Sequence, residues 1–272
     1  MVQLESRYDT RWRDVTWKAV DGLELLARIY EPTGAGAPSS GRMAVVEVHG
    51  GAWCDNDRKA GTVYNKMLAA SGVVVVAIDF RMGHAHKHPA GSDDVADAVR
   101  WTRARADELG VDPACVVLAG SSSGGHLAWL AALRMGAAEA PIGVIPLWPP
   151  TDPLARYRYA CAKGDEHGAR LKANTEGYFA SEVDMADASI ERTVRAGEAA
   201  SLPPVFLVHP LLDQNVPKEI TDGVVAAYRE AGGPIDVFWV PDQHHGYGHT
   251  EGPATDELVA TMRTVLASWC ER

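Results

Sequence analysis

The sequence predicts a doubly wound α/β domain, and two observations support this prediction. Strand-like and helix-like segments alternate along the 272 residues, which favours a mostly parallel central sheet flanked by helices. The most apolar segments, Val73–Asp79 and Val205–Val208, are continuous runs in which polar residues do not alternate with apolar ones. Such strands are buried on both faces. The length fits a single domain over residues 1–272.

The predicted strands are runs of β-branched and aromatic residues bounded by turn-forming residues. They are Val15–Val20, Leu23–Tyr30, Ala44–Val48, Val73–Asp79, Cys115–Ala119, Ile142–Leu147, Val205–Val208 and Ile235–Val240. The predicted helices fall between strands or after the last one, and the helix that begins at Ser92 has acidic residues in its first turn and Gly110 just beyond its end. They are Gly61–Ala70, Ser92–Leu109, Ser123–Met135, Lys218–Ala231 and Thr255–Cys270.

Residues 151–201 interrupt the alternation, because this stretch is rich in charge and contains no clear strand. Four aromatic residues, Tyr157, Tyr159, Tyr178 and Phe179, lie within it. The pattern predicts a helical cap inserted over one end of the sheet. A pair of ordinary surface helices fits the same pattern equally well.

The charge balance excludes several classes of partner. Lys and Arg number 26 against 36 Asp and Glu, so the net charge is −10. Nucleic acid and anionic membranes are therefore not expected as partners, since both are polyanions. Strongly anionic substrates are also disfavoured, although a local site can override the global field.

The sequence also predicts a cytoplasmic protein. The charged N-terminal segment lacks the apolar core of a signal peptide, and no apolar run is long enough to span a bilayer. The four cysteines are scattered and form no C-x-x-C motif, which fits a reducing compartment. They are Cys54, Cys115, Cys161 and Cys270.

A G-x-S-x-G motif follows one predicted strand and precedes a helix, at Gly120-Ser121-Ser122-Ser123-Gly124. In that context the motif predicts a nucleophile elbow, where flanking glycines leave room for a strained turn that exposes the central hydroxyl. The glycine spacing selects Ser122 over its two serine neighbours. The motif alone is weak, because glycine and serine are abundant in ordinary turns.

A second motif, His49-Gly50-Gly51, follows the strand that ends at Val48. Paired glycines allow backbone N–H groups to approach an oxygen closely, as an oxyanion hole requires. We therefore predict an oxyanion hole formed by the N–H groups of Gly50, Gly51 and Ser123. A simple strand-to-loop turn is the alternative explanation of this motif.

An acid and a histidine each follow a later strand. Asp213 comes after Val205–Val208, and His244 and His245 come after Ile235–Val240. The order Ser, Asp, His along the chain is that of α/β-hydrolases. Asp242 is a weaker candidate for the acid, because it lies too close in sequence to His245 to reach it without a sharp turn.

These motifs together resemble the α/β-hydrolase superfamily, and within it the hormone-sensitive-lipase-like esterases, the kynurenine formamidases and the feruloyl-esterase-like proteins. The matching residues are His49-Gly50-Gly51, Asp79-Phe80-Arg81, Gly120–Gly125, Asp213 with Val216-Pro217, and His245-Gly246-Tyr247. The sequence departs from the lipase-like pattern at Ala52-Trp53, after Arg81 and at Ser121. The resemblance also favours His245 over His244, because Gly246-Tyr247 follows it.

The resemblance implies an α/β-hydrolase fold and a carboxylic ester hydrolase of small, short-acyl or aryl substrates. In that reading Ser122 is the nucleophile, His245 the base and Asp213 the acid that orients it, and no metal or organic cofactor is needed. An amidase or arylformamidase is the alternative. A ligand receptor on a hydrolase scaffold is a third hypothesis, disfavoured because the Ser, Asp and His are all present. Such folds commonly dimerise, so a homodimer is one expected assembly.

Two groups of residues near these motifs remain ambiguous. Trp53, Trp148 and Tyr247 are either the lining of an apolar substrate pocket or ordinary core aromatics. His84, His86 and His88 alternate as metal ligands can, but no acid or cysteine lies nearby in sequence to complete a site. We therefore predict no metal here, while His84 or His86 could still line the mouth of the site.

Overall fold

The computed structural model describes residues 7–270 and contains an eight-stranded sheet flanked by helices. All eight predicted strands are present. They are β1 Asp9–Val20, β2 Leu23–Thr33, β3 Arg42–Val48, β4 Val74–Ile78, β5 Val111–Ser121, β6 Val144–Leu147, β7 Val205–Pro210 and β8 Ile235–Val240. The strand order is β1-β2-β4-β3-β5-β6-β7-β8, with β1 and β2 antiparallel to their neighbours and the remaining strands parallel. The predicted fold class is confirmed.

The helices connect the strands or follow the last one. They are α1 Thr62–Ala69, α2 Ala90–Ala104, α3 Ala106–Leu109, α4 Ser123–Arg134, α5 Pro153–Lys163, α6 Glu166–Tyr178, α7 Glu182–Asp187, α8 Ile190–Arg195, α9 Lys218–Glu230 and α10 Pro253–Cys270. The single helix predicted over Ser92–Leu109 is wrong at Arg105. The Arg105 N–H donates to the carbonyls of both Trp101 and Thr102, so the chain tightens there before α3 begins.

The sheet is buried on both faces, as the continuous apolar strands predict. In β4, Val74, Val76 and Ile78 belong to the core under α2 and α4. Val75 and Ala77 belong to the second core, under α1 and α10. Because successive side chains of a strand point to opposite faces, a strand covered on both sides must be apolar throughout.

The register of the parallel strands brings their following loops to one edge of the sheet. Val48 at the end of β3 pairs with Gly120 of β5, so His49 lies beside Ser121. The ends of β7 and β8 also pair, Pro210 with Val240. Four loops, after β3, β5, β7 and β8, therefore emerge at the same edge.

Residues 151–201 contain α5 to α8 and no strand. A hydrogen bond and an aromatic contact join this segment to the rest of the domain. The Ala188 carbonyl is 2.8 Å from Nε2 of His126 on α4, and the Trp53 and Tyr178 rings stack with centroids 6.0 Å apart. Within residues 7–270, no helix combines the length and apolar character needed to cross a bilayer.

Candidate active site

Ser122 lies in the turn between β5 and α4, with backbone angles φ 51° and ψ −123°. A non-glycine residue rarely adopts positive φ, and such strain clusters at functional sites. The turn packs tightly against the end of β3, because a Cβ on Gly124 would lie 2.0 Å from the Val48 carbonyl oxygen. The second glycine of the motif therefore allows α4 to begin where it does.

His245 lies between Ser122 and Asp213. Its Nε2 is 2.8 Å from Ser122 Oγ, and its Nδ1 is 2.7 Å from Asp213 Oδ2. A carboxylate accepts, so Nδ1 carries the proton and Nε2 is free to accept from the serine hydroxyl. The other carboxylate oxygen of Asp213 accepts from the N–H groups of Asn215 at 2.7 Å and Val216 at 3.0 Å.

The two competing residues lie outside this chain of hydrogen bonds. His244 is exposed, and its Nδ1 is 3.1 Å from the Leu212 carbonyl oxygen. Asp242 is also exposed. The structure thus brings Ser122, Asp213 and His245 together and leaves His244 and Asp242 at the surface.

The loop after β3 is fixed by two hydrogen bonds to the Gly50 carbonyl. The Gly50 oxygen accepts from His49 Nδ1 at 2.7 Å and from Asn56 Nδ2 at 3.2 Å. In a trans peptide the C=O and N–H point in opposite directions, so the Gly51 N–H is directed away from both donors. Gly51 itself has φ 127°, and a Cβ there would lie 2.0 Å from the Asp55 carbonyl oxygen.

The predicted role of Gly50 in an oxyanion hole is not supported. Its N–H donates to Ser121 Oγ at 3.1 Å and is therefore already occupied. Gly50, Gly51 and Ala52 all line the cavity beside Ser122. The Ser123 N–H lies in the first turn of α4, where N–H groups have no partner within the helix. Sequence reasoning missed Ala52, because the motif alone does not show which peptide faces the cavity.

A cavity of about 400 Å³ opens beside Ser122. Its strand-end wall comprises Gly50, Gly51, Ala52, Asp55, Asn56, Ser122, Trp148, Asn215, His245, Gly246 and His249. Its helical wall comprises Arg156 of α5 with Arg170, Leu171 and Asn174 of α6. Most of these groups are polar. A larger surface groove of about 590 Å³, beside Met43 and Gly72, contains none of these residues.

Comparisons with known proteins show similarity to esterases. A family model described as BD-FAE matches residues 28–145. Carboxylic ester hydrolase LipN of Mycobacterium tuberculosis is 28% identical over 93% of this chain and 71% of its own. Ethyl acetate hydrolase of Pseudomonas putida is 28% identical over 86% of this chain and 74% of its own.

Solved structures of esterases share the fold. Thermogutta terrifontis esterase 2, solved after reaction with tabun, aligns with a TM-score of 0.76 and 25% identity over 94% of both chains. An esterase from Pyrobaculum calidifontis has a TM-score of 0.78 at 24% identity, covering 96% of this chain and 84% of its own. Together these similarities support an esterase with the α/β-hydrolase fold. The chain is a carboxylic ester hydrolase by class.

The aromatic residues considered for the pocket occupy different places in this esterase. Trp53 is fully buried and donates from Nε1 to His126 Nδ1 at 3.2 Å, so it packs behind the cavity. Tyr247 packs on Trp148, with ring centroids 5.0 Å apart. Of the three, only Trp148 lines the cavity. Of the two explanations considered for these aromatic residues, pocket lining fits Trp148, and core packing fits Trp53 and Tyr247.

The alternating histidines of the esterase lie away from this cavity. His88 Nε2 is 2.8 Å from Asp187 Oδ2, and His84 packs against Gly177. Neither His84 nor His86 lines the cavity. Across the part of the chain that the structure describes, no group of three His, Cys, Asp or Glu side chains is arranged to hold a metal ion.

Proposed function

We propose that this esterase hydrolyses small carboxylic esters through Ser122, His245 and Asp213 by way of an acyl-enzyme. The observation that carries the proposal is the continuous hydrogen-bond chain from Ser122 Oγ through both ring nitrogens of His245 to Asp213. This is the arrangement of nucleophile, base and orienting acid that activates a serine hydroxyl.

In the first step Ser122 Oγ attacks the ester carbonyl carbon while its proton passes to Nε2 of His245. Asp213 then stabilises the imidazolium through the hydrogen bond to Nδ1. The two backbone N–H groups that bond the other oxygen of Asp213 hold its carboxylate in position. His245 next gives its proton to the departing alkoxide, and the acyl group remains on Ser122.

The tetrahedral oxyanion requires donors already in place. We assign these to the N–H groups of Gly51 and Ser123, with Ala52 replacing Gly50 as the third. The hold of His49 and Asn56 on the Gly50 carbonyl supports this assignment, because it orients the next peptide. A pre-aimed donor is typically worth about 10²–10³ in rate.

The second half of the reaction reverses these roles. A water molecule loses a proton to His245 and attacks the acyl carbon, and Ser122 leaves with that proton. The cavity of about 400 Å³ favours short acyl or small aryl groups. We propose that α5 and α6 act as the cap that sets this limit, since they supply the helical wall.

A substrate panel tests the proposal. Aryl and alkyl esters of short acids, together with an aryl formamide, are assayed with the wild type, Ser122→Ala and the control Ser268→Ala on the remote helix α10. We expect Ser122→Ala to lower kcat/KM on esters by at least about 10⁴-fold and Ser268→Ala to leave it unchanged.

Equal hydrolysis by the wild type and Ser122→Ala would overturn the proposal. Faster Ser122-dependent turnover of the formamide than of the esters would keep the nucleophile and change the bond cleaved. Thermal unfolding of each variant checks that the loss is not a loss of fold.

A further inference from the structure

Arg156 on the helical wall is a buried cation without a carboxylate partner in the described chain. It is 4% exposed, yet its Nε donates to the Asn215 carbonyl at 3.3 Å and its Nη1 to Thr175 Oγ1 at 2.8 Å. Both acceptors are neutral. A guanidinium has five N–H groups, so most of its donor capacity is left over beside the cavity.

Other buried arginines of this protein are neutralised. Arg28 bonds Asp14 at 2.8 Å, and Arg58 bonds Asp79 at 2.9 Å. The half-buried Arg81 likewise bonds Asp94, at 2.9 Å. Burying a charge costs free energy unless a counter-charge accompanies it. The fold supplies a directly bonded counter-charge for these three residues, whereas Arg156 has none among the described residues and feels the Asp213 carboxylate only at a distance, without an ion pair.

The Arg156 guanidinium is protonated at neutral pH, and its neighbours fix its position. Burial lowers its pKa to about 10, so the guanidinium is still protonated at neutral pH. The Trp53 ring, whose centroid is 5.5 Å from Arg156 Cζ, supports it from behind. The buried Trp53 thus positions a cavity residue, although it does not line the cavity itself.

The other lining residues include a second cationic side chain and few carboxylates. Arg170 lies on the same wall, with Nη2 3.1 Å from Nδ1 of the half-buried His167. Asn174 is its neighbour on that wall. Asp55 is the one carboxylate among the described lining residues, and it forms no ion pair with either arginine. The helical wall is therefore locally positive in a chain whose net charge is −10.

We propose that the natural ester carries a free carboxylate, which binds Arg156 in the cavity while Ser122 attacks the ester bond. The planar fork of a guanidinium matches a carboxylate with two parallel hydrogen bonds. Arg170 and Asn174 would hold the same group or the chain that leads to it. This inference rests on the proposed function, because it names the substrate class of that site.

Two matched pairs of esters test the inference and distinguish the side of the ester that carries the charge. On the acyl side, 4-nitrophenyl hemisuccinate is compared with 4-nitrophenyl butyrate, which has a methyl group in place of the carboxylate. On the alcohol side, 4-acetoxybenzoate is compared with 4-acetoxybenzamide. Uncatalysed hydrolysis is subtracted in each case.

For the wild type we expect kcat/KM to favour the carboxylate ester in one of the pairs by about 10- to 100-fold. Arg156→Met should abolish that ratio while Ser122-dependent hydrolysis of the neutral ester continues, and Arg156→Lys should restore part of it. The matched control is Arg158→Met, on the same helix but exposed and paired with Glu182, which should leave the ratio intact.

A measurement on the unaltered protein guards against a folding defect in the variants. Butyrate should inhibit neutral-ester hydrolysis competitively, and butyramide should inhibit at least about tenfold more weakly. Absence of a charge preference in both pairs, or a ratio that Arg156→Met leaves unchanged, would overturn the inference and leave the proposed function intact. Neutral-ester hydrolysis that survives Ser122→Ala would instead overturn the proposed function.

Discussion

On the strand-end wall of the cavity, the His245 ring and the Gly50 carbonyl are held by hydrogen bonds to other protein groups, and the buried Asp213 carboxylate behind His245 is held in the same way. On the helical wall, the Arg156 guanidinium has only neutral acceptors and spare donors. Groups that are fully partnered keep one geometry, which suits transition-state chemistry. A group with unused hydrogen-bond donors, such as the Arg156 guanidinium, is able to bind a ligand. The contrast assigns chemistry to the first wall and recognition to the second.

The largest effect is expected from breaking the strand-end wall at its centre. His245→Gln removes the base and both of its hydrogen bonds, so kcat/KM on a neutral aryl ester should fall by about 10⁴–10⁶-fold. Steady-state kinetics measures the loss. The matched control is His244→Gln, which alters an exposed histidine and should change the rate less than about twofold. Similar losses in both variants would contradict the assignment of the base.

The acid should matter somewhat less than the base. Asp213→Asn keeps the shape but no longer fixes the His245 tautomer, and kcat should fall by about 10⁴-fold. Asp242→Asn, at an exposed site three residues before His245, is the control and should behave as the wild type. A greater loss for Asp242→Asn than for Asp213→Asn would show that the wrong carboxylate has been identified.

Glu47 extends the comparison to the layer beneath the strand-end wall. It is buried on β3, where Tyr64 and Asn65 donate to its two oxygens at 2.7 Å and 3.1 Å. Burial raises its pKa to about 7 from the ordinary 4.5. Because the folded pKa lies above the unfolded one, this protonated group stabilises the fold at low pH, and that stabilisation is lost as pH rises through 7.

Denaturant unfolding of the wild type and Glu47→Gln at pH 5 and pH 8 measures this effect. The wild type should lose about 2–3 kcal/mol of unfolding free energy relative to the variant between these two pH values. The variant is its own control, since all other titrating groups are shared. A difference between the two proteins that stays constant with pH would contradict the elevated pKa.

The smallest effect is expected at Asn56, whose amide donates to the Gly50 carbonyl in the loop after β3, where we propose the oxyanion hole. Asn56 has φ 76°, so Asn56→Gly preserves the backbone while removing the amide. We expect kcat to fall by about tenfold with little change in KM, because the Gly51 N–H is less firmly aimed. A rise in KM with kcat unchanged would make Asn56 a binding residue rather than a positioning residue.

The strand-end wall could largely be predicted from the sequence, and the helical wall could not. Ser122, Asp213 and His245 each follow an apolar strand, and parallel strands bring such positions to one edge. The prediction for Gly50 fails for a local reason. The motif locates the loop, but only the structure shows that the Gly50 N–H already donates to Ser121 Oγ.

Arg156 illustrates what local sequence leaves out. Arg156 and Arg158 lie two residues apart on α5, and nothing in the surrounding residues distinguishes them. One is buried against the Asn215 carbonyl, 59 residues away, while the other is exposed and paired with Glu182. Burial of a charge depends on how α5 packs onto the sheet edge, and this packing is a tertiary property.

Labelling with a fluorophosphonate, followed by peptide mass spectrometry, tests the central claim most directly, because the reagent needs an activated serine rather than any particular substrate. We expect one equivalent of adduct on the peptide containing Ser122, its formation abolished in Ser122→Ala and strongly slowed in His245→Gln. A wild-type protein that stays unlabelled, or that carries the adduct on another residue, would contradict the claim.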